Sequence, residues 1–352
     1  MHYLKSVTLL GLVMAMVLAG PAVAKGQPNW LREATPAQRG QAEMSIRDIA
    51  FRNGLGDDAI IALVTMVDAP AGTSPQDRIA GASGLIDHAR HIRNMLHSQI
   101  SGFSYKQDKA VVAGLGKVLK AFNQGRFDKA VAYLDDLVPV DGRPTIVPDP
   151  EWRFLIQIRM SIATLIGDYD TAISGLQAAR RVRADADRPL RYYLASLEAG
   201  TWYNKGRTDR TALLKSIQLY TDEVLPLAPR DTAPQDWAAT QMALCIGGRV
   251  LGKSEDGTES LDHAIVACDR ALEVVKREGQ LFVWGELQAN LAEAWEARMQ
   301  RQIDPVARKQ DAAKALEHFR LAHQAFGPEK HRRDGYVVDR IDALEDWQNA
   351  NP

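Results

Sequence analysis

The stretch from Asp236 to Val274, DWAATQMALCIGGRVLGKSEDGTESLDHAIVACDRALEV, constrains the fold more than any other part of the chain. Its apolar residues recur at spacings of three and four on either side of a short glycine-containing turn, the pattern of two amphipathic helices folded against each other. Weaker copies flank it: Trp237 recurs as Trp284, 47 residues on, and Ala264 recurs as Ala315, 51 residues on. A repeated helix pair cannot bury its apolar face alone, so it must stack on its neighbours. No sustained alternating strand pattern competes with this, and the glycines and prolines fall mainly between helical stretches. The expected fold class is therefore all-α, an α-solenoid of stacked antiparallel helix pairs with an N-terminal helical region and a C-terminal capping helix.

Three segments follow from this punctuation. Residues 1–24 read as a signal peptide. Lys5 supplies the positive end, Val7 to Leu18 the apolar core, Gly20 and Pro21 break it, and Ala22-Val23-Ala24 is a small-x-small cleavage signal. Residues 25–105 form an N-terminal helical region. Thr35-Pro36 starts a helix to about Arg52, Asn53-Gly54 ends it, and a shorter helix runs from Asp57 to Val67. Ser74-Pro75 caps a long helix to about Gly102, with Ile79, Ala82, Ile86, Ala89, Leu96 and Ile100 toward a core. Residues 106–352 carry the repeats. Gly125-Arg-Phe-Asp-Lys-Ala130 matches Gly167-Asp-Tyr-Asp-Thr-Ala172, and Gly206 takes a similar place after Trp202 and Tyr203. Each glycine ends a helix, the following aromatic plugs the bend, and the alanine lets two helices approach. Helix pairs are expected near 109–138, 150–184, 189–226, 234–278 and 280–326, with a capping helix from about 330 to 349.

These Gly-x-aromatic-x-x-Ala elements resemble the tetratricopeptide repeat, and 236–274 resembles a long-period bacterial variant of it. The resemblance covers about two thirds of the chain. It implies a right-handed superhelix whose inner helices line a concave groove for an extended peptide or partner helix. By that register the groove includes Met242, Ile246 and Arg249 in one repeat and Glu286, Ala289, Glu293 and Glu296 in the next, a mixed face beside an acidic one. The implied partner is a protein or peptide with basic residues. The same register sets Cys245 and Cys268 facing each other on the two helices of one repeat, at positions where the family carries a small residue and an aromatic. Either the two are bridged, which an exported chain permits, or they are buried thiols.

Charge and motifs narrow the function. A formal net charge of −1 gives no electrostatic case for nucleic acid or an anionic membrane. Basic clusters at Arg180, Arg181 and Arg183, and at Lys330, Arg332 and Arg333, read as solvated helix ends. His88, His91 and Met95, with His97 nearby, fall on one helical stretch, but Arg90 and Arg93 flank them and no metal or other cofactor is expected. Asp57-Asp58 and Asp135-Asp136 are adjacent residues that diverge on a helix, so they do not pair as acid and base. No catalytic residue is assigned and no phosphate loop or nucleophile elbow is found. Trp237, Trp284 and Trp295 are expected in the core. The chain reads as a periplasmic or secreted, non-enzymatic scaffold for protein–protein contacts in a bacterial cell envelope, with no stable membrane insertion after cleavage at Ala24. Two alternatives stand beside this: an accessory subunit of a polysaccharide or protein export system, and an enzyme whose activity sits in residues 25–105. A concave pocket with convergent polar groups in that region would favour the enzyme.

Overall fold

The glycines and capping residues set where each helix starts and stops. The computed structural model describes residues 28–351 apart from 71, 107, 140–146, 148, 330 and 332, and among them there are sixteen α-helices and no strand. The expected signal peptide, and Lys330 and Arg332 of one basic cluster, lie outside the described residues. No described helix is long and apolar enough to cross a membrane. Contacts divide the chain into two compact units that meet between Leu190 and Arg191.

The unit before Arg191 holds α1 (Asn29–Arg32), α2 (Pro36–Asn53), α3 (Asp57–Thr65), α4 (Pro75–Gly81), α5 (Ser83–Tyr105), α6 (Lys109–Asn123), α7 (Phe127–Leu137), α8 (Asp149–Leu165) and α9 (Tyr169–Val182). Thr35 and Gln38 form a reciprocal capping box in front of Pro36, and Gly54 ends α2 in the left-handed conformation. The single long helix expected after Ser74-Pro75 is two helices, α4 and α5. They join at the single residue Ala82, with φ of −81° and ψ of −3°. The expected stripe survives that break, because Ile79, Ala82, Ile86, Ala89 and Leu96 are all buried. Gly125 and Gly167 end α6 and α8 at φ of 66° and 73°. Phe127 then packs edge-on against Phe122, and Ala130 and Ala172 are fully buried. Within this unit α6 packs on α7 and α8 on α9.

From Arg191 the second unit holds most of α10 (Arg188–Lys205), then α11 (Arg210–Leu219), α12 (Pro234–Lys253), α13 (Glu259–Val274), α14 (Leu281–Met299), α15 (Pro305–Phe326) and α16 (Asp334–Ala350). Asp209 and Asp304 cap α11 and α15 with their side chains. After α11 the chain widens into a π-turn, Tyr220–Val224, and tightens into a 3-10 turn, Leu225–Leu227. Pro226 has no N–H to continue the ordinary ladder there. Gly206 differs from Gly125 and Gly167. Its φ is not positive, and its role is close approach, since a Cβ there would lie 2.6 Å from the Leu213 Cα. Adjacent helices pair as α12 on α13 and α14 on α15, while α12 also touches α14 directly and α16 closes on α15.

The Cys245–Cys268 bridge joins α12 to α13 across a Cα separation of 5.1 Å. Both cysteines are fully buried among Ala264, Ile265, Leu291 and Ala294. Trp237, Trp284 and Trp295 are half-buried rather than enclosed, because each carries a guanidinium on its outer face. Arg230 lies 5.1 Å from the Trp237 ring centre, Arg277 5.5 Å from that of Trp284, and Arg298 4.2 Å from that of Trp295. The first two arginines stand seven residues before their tryptophans, so the loop entering α12 and the loop entering α14 are stapled in the same way.

Candidate functional site

The residues that carry most charge into the interior of the second unit lie on its inner helices, α10, α12, α14 and α16. Helical spacing puts Arg249 and Lys253 one turn apart on α12, and Glu286, Asn290 and Glu293 along one face of α14. Glu293 is the hub. Its Oε2 accepts from Arg249 Nη1 at 2.6 Å and from Lys253 Nζ at 2.7 Å, and its Oε1 accepts from Arg333 Nη2 at 2.7 Å. Arg249 also donates through Nε to Asn290 Oδ1 at 3.1 Å. Arg333 reaches on to Glu286, whose other oxygen lies 3.9 Å from His331 Nε2, and Arg340 pairs with Glu296. Burial alone would raise the Glu293 carboxyl, but Arg249, Lys253 and Arg333 together hold it below its ordinary value. Tyr203 on α10 lies in the field of Arg249 and Glu293, and Tyr336 on α16 in that of Glu293 and Glu296. Burial raises both phenols, so they remain donors at neutral pH.

This geometry corrects the expected open groove. Met242 and Ala289 are core residues, packed respectively with Ala238, Ala271 and Leu287 and with Ala292, Ala315 and Phe319. Ile246 is half-buried against the first of these clusters. Glu286, Glu293 and Glu296 are each only 7 % exposed, and Arg249 is half-buried in their network. The acidic face that was expected to ask for a basic partner is filled by the chain's own Arg333 and Arg340. The reason is reach: an inner helix is flanked by its neighbours, and an arginine on the next helix is long enough to cover the acids below it. The register found α12 and α14 correctly but gave no sign of this. One signal was available, since Arg333 and Arg340 stand seven residues apart with Val337 between them, a charged stripe beside an apolar one.

Comparison with protein-family models, with curated proteins and with solved structures gives no match.

Two other candidates resolve differently. On α5, His88 is buried while His91 and His97 are exposed, so these residues do not converge. Burial lowers the His88 imidazole to about 4, and His91 adds to the effect. The N-terminal region carries a cleft of about 1270 Å³ lined by Trp30, Arg32, Asp58, Arg78, Asp128 and Lys129 among others. Its charged groups are exposed except for Arg78, which is half-buried and donates to the carbonyls of Ala69 and Pro70. The densest cluster of paired charges is the row on the inner helices.

Proposed function

We propose that the chain is an exported, non-catalytic scaffold of tetratricopeptide-like helix pairs that mediates protein–protein contacts in a bacterial cell envelope. The observation that carries the reading is the row of polar side chains across successive inner helices: Tyr203 on α10, Arg249 and Lys253 on α12, and Asn290 and Glu293 on α14. A row of this kind reads a partner by charge and hydrogen bonding rather than by enclosing a small molecule. Export is supported by the leader pattern at residues 1–24 together with the buried Cys245–Cys268 bridge, which suits an oxidising compartment.

A site-specific crosslink tests this. A photoreactive residue at Lys253, whose side chain is 42 % exposed in the charged row, should trap one protein from an envelope fraction. The same residue at Ile303, 97 % exposed and away from the row, should not. Equal labelling from both positions, or none from Lys253, sinks the scaffold reading.

A further inference from the structure

The helix α16 is held unlike the others. Its completely buried side chains are Val337 and Leu344, with Ile341 and Trp347 half-buried behind them. By comparison α14 and α15 each bury seven apolar side chains. What α16 lacks in apolar anchorage it makes up in charge. Arg333, at its start, spans Glu286 and Glu293, and Arg340 takes Glu296. On its other flank Arg320 meets Glu345 at 2.7 Å and His323 meets Asp334 at 2.7 Å. It is joined to α15 through the 3-10 turn Gly327–Glu329.

We propose that α16 is a displaceable occupant of the acidic row on α14, and that the partner is an arginine-bearing amphipathic helix of another protein that takes its place. This rests on the scaffold reading and adds the partner's chemistry and its control. The pattern required is written in α16 itself: two arginines seven residues apart, an apolar side chain four after the first, and a second apolar side chain four after the second, as in Arg333, Val337, Arg340 and Leu344. Such a helix presents its charges and its apolar residues on neighbouring stripes. Glu286, Glu293 and Glu296 are buried with α16 in place; removing it without replacement breaks the ion pairs of Arg333 and Arg340 and leaves Glu293 alone of the three facing Arg249 and Lys253. Exchange of one arginine-bearing helix for another avoids that cost. It also makes the resting chain closed and the charged row available only to a partner that brings its own cations.

The probe is a fluorescent peptide of residues 331–350, added to the full oxidised chain and to the same chain carrying Arg333→Glu and Arg340→Glu. The wild type, filled by its own α16, should bind weakly. The variant should bind at least ~10-fold tighter at low salt and lose that gain near ~0.5 M salt, where exposed charges are screened. A variant that keeps its helical circular dichroism but binds no tighter overturns the proposal. If the variant does not fold, amide exchange on the unaltered chain decides. The amides of α16 should exchange as a group at least ~100-fold faster than those of α15, and faster still in salt. Equal and salt-independent protection of α15 and α16 overturns it. So does a dimer of the unaltered chain that forms through α16, since the face then belongs to a second copy. Failure of the peptide to bind leaves the Lys253 crosslink intact, whereas failure of the crosslink sinks the scaffold itself.

Discussion

Opening the Cys245–Cys268 bridge should lower the stability of the second unit measurably without changing its packing. The bridge closes a stretch of 23 residues that contains the turn between α12 and α13. In the chain-entropy account, a closed loop of this size restricts the unfolded chain by roughly 3 kcal/mol. Both sulfurs sit in a fully buried cluster of small side chains, so reduction leaves two thiols in place and creates little cavity. The whole effect should therefore fall on the unfolded state. For a unit of this size each kcal/mol moves the midpoint by about 2–4 °C, so reduction should lower it by about 6–12 °C. The assay is thermal unfolding of the full chain, oxidised and reduced, beside the Cys245→Ala, Cys268→Ala double variant. The reduced chain and the double variant should melt together below the oxidised chain. Curves that superimpose within about 2 °C would refute the reasoning. So would two titratable thiols in chain denatured without reductant.

Buried His88 sets an acid dependence of its own. Its folded value of about 4 lies below the ordinary 6.5, so the unfolded chain takes up a proton first. That stability is intact above pH 6.5 and is lost as pH falls toward 4, by about 3 kcal/mol in total. Denaturant unfolding across that range should show the loss, and His88→Leu should flatten it. Gly125→Ala forces a side chain onto a φ of 66° and sets its Cβ 2.6 Å from the Asp58 carbonyl oxygen. A loss of about 2 kcal/mol or more is expected in urea unfolding, and a shift under ~0.5 kcal/mol would count against the close approach of α3 to this turn. Asp311 is buried and accepts from Arg298 Nε at 2.9 Å and Nη2 at 2.6 Å. Asp311→Ala leaves that guanidinium with Asp262 alone and should cost about 3 kcal/mol by the same measurement. A change below ~1 kcal/mol would mean that solvent replaces the lost carboxylate.

The helices were legible in the sequence because their punctuation is local. Thr35-Pro36, Asn53-Gly54, Gly125 and Gly167 act on their own backbone, and the structure puts helix ends at each. The pairs expected at 109–138, 150–184, 189–226, 234–278 and 280–326 coincide closely with α6/α7 through α14/α15. What escaped was non-local. The split at Ala82 depends on what α4 and α5 each pack against, and the apolar stripe runs across it unchanged. The tryptophans were placed in the core because periodicity marks them as apolar, but the arginines stacked on Trp237 and Trp284 come from loops outside the helical period. The groove residues illustrate the same limit. A register says which way Glu286 and Glu293 point, and says nothing of an arginine 40 or more residues later that meets them.

Two of the inner-face ion pairs share one offset with opposite polarity: Arg249 meets Glu293, and Glu296 meets Arg340, each 44 residues on. By the 47-residue spacing of the stapled tryptophans, Arg249 and Glu296 occupy equivalent places, as do Ile246, Glu293 and Arg340. The sign thus alternates from helix to helix. A second copy of α12 stacked on α12 would set Arg249 against Ile246 and strand a cation, and a second α14 on α14 would set Glu296 against Glu293. The outer staples would accept either arrangement, since they are the same at both joints. The charges act as a grammar of succession: they allow α14 after α12 and α16 after α14, and penalise repetition. The stack is in this way kept to a single order.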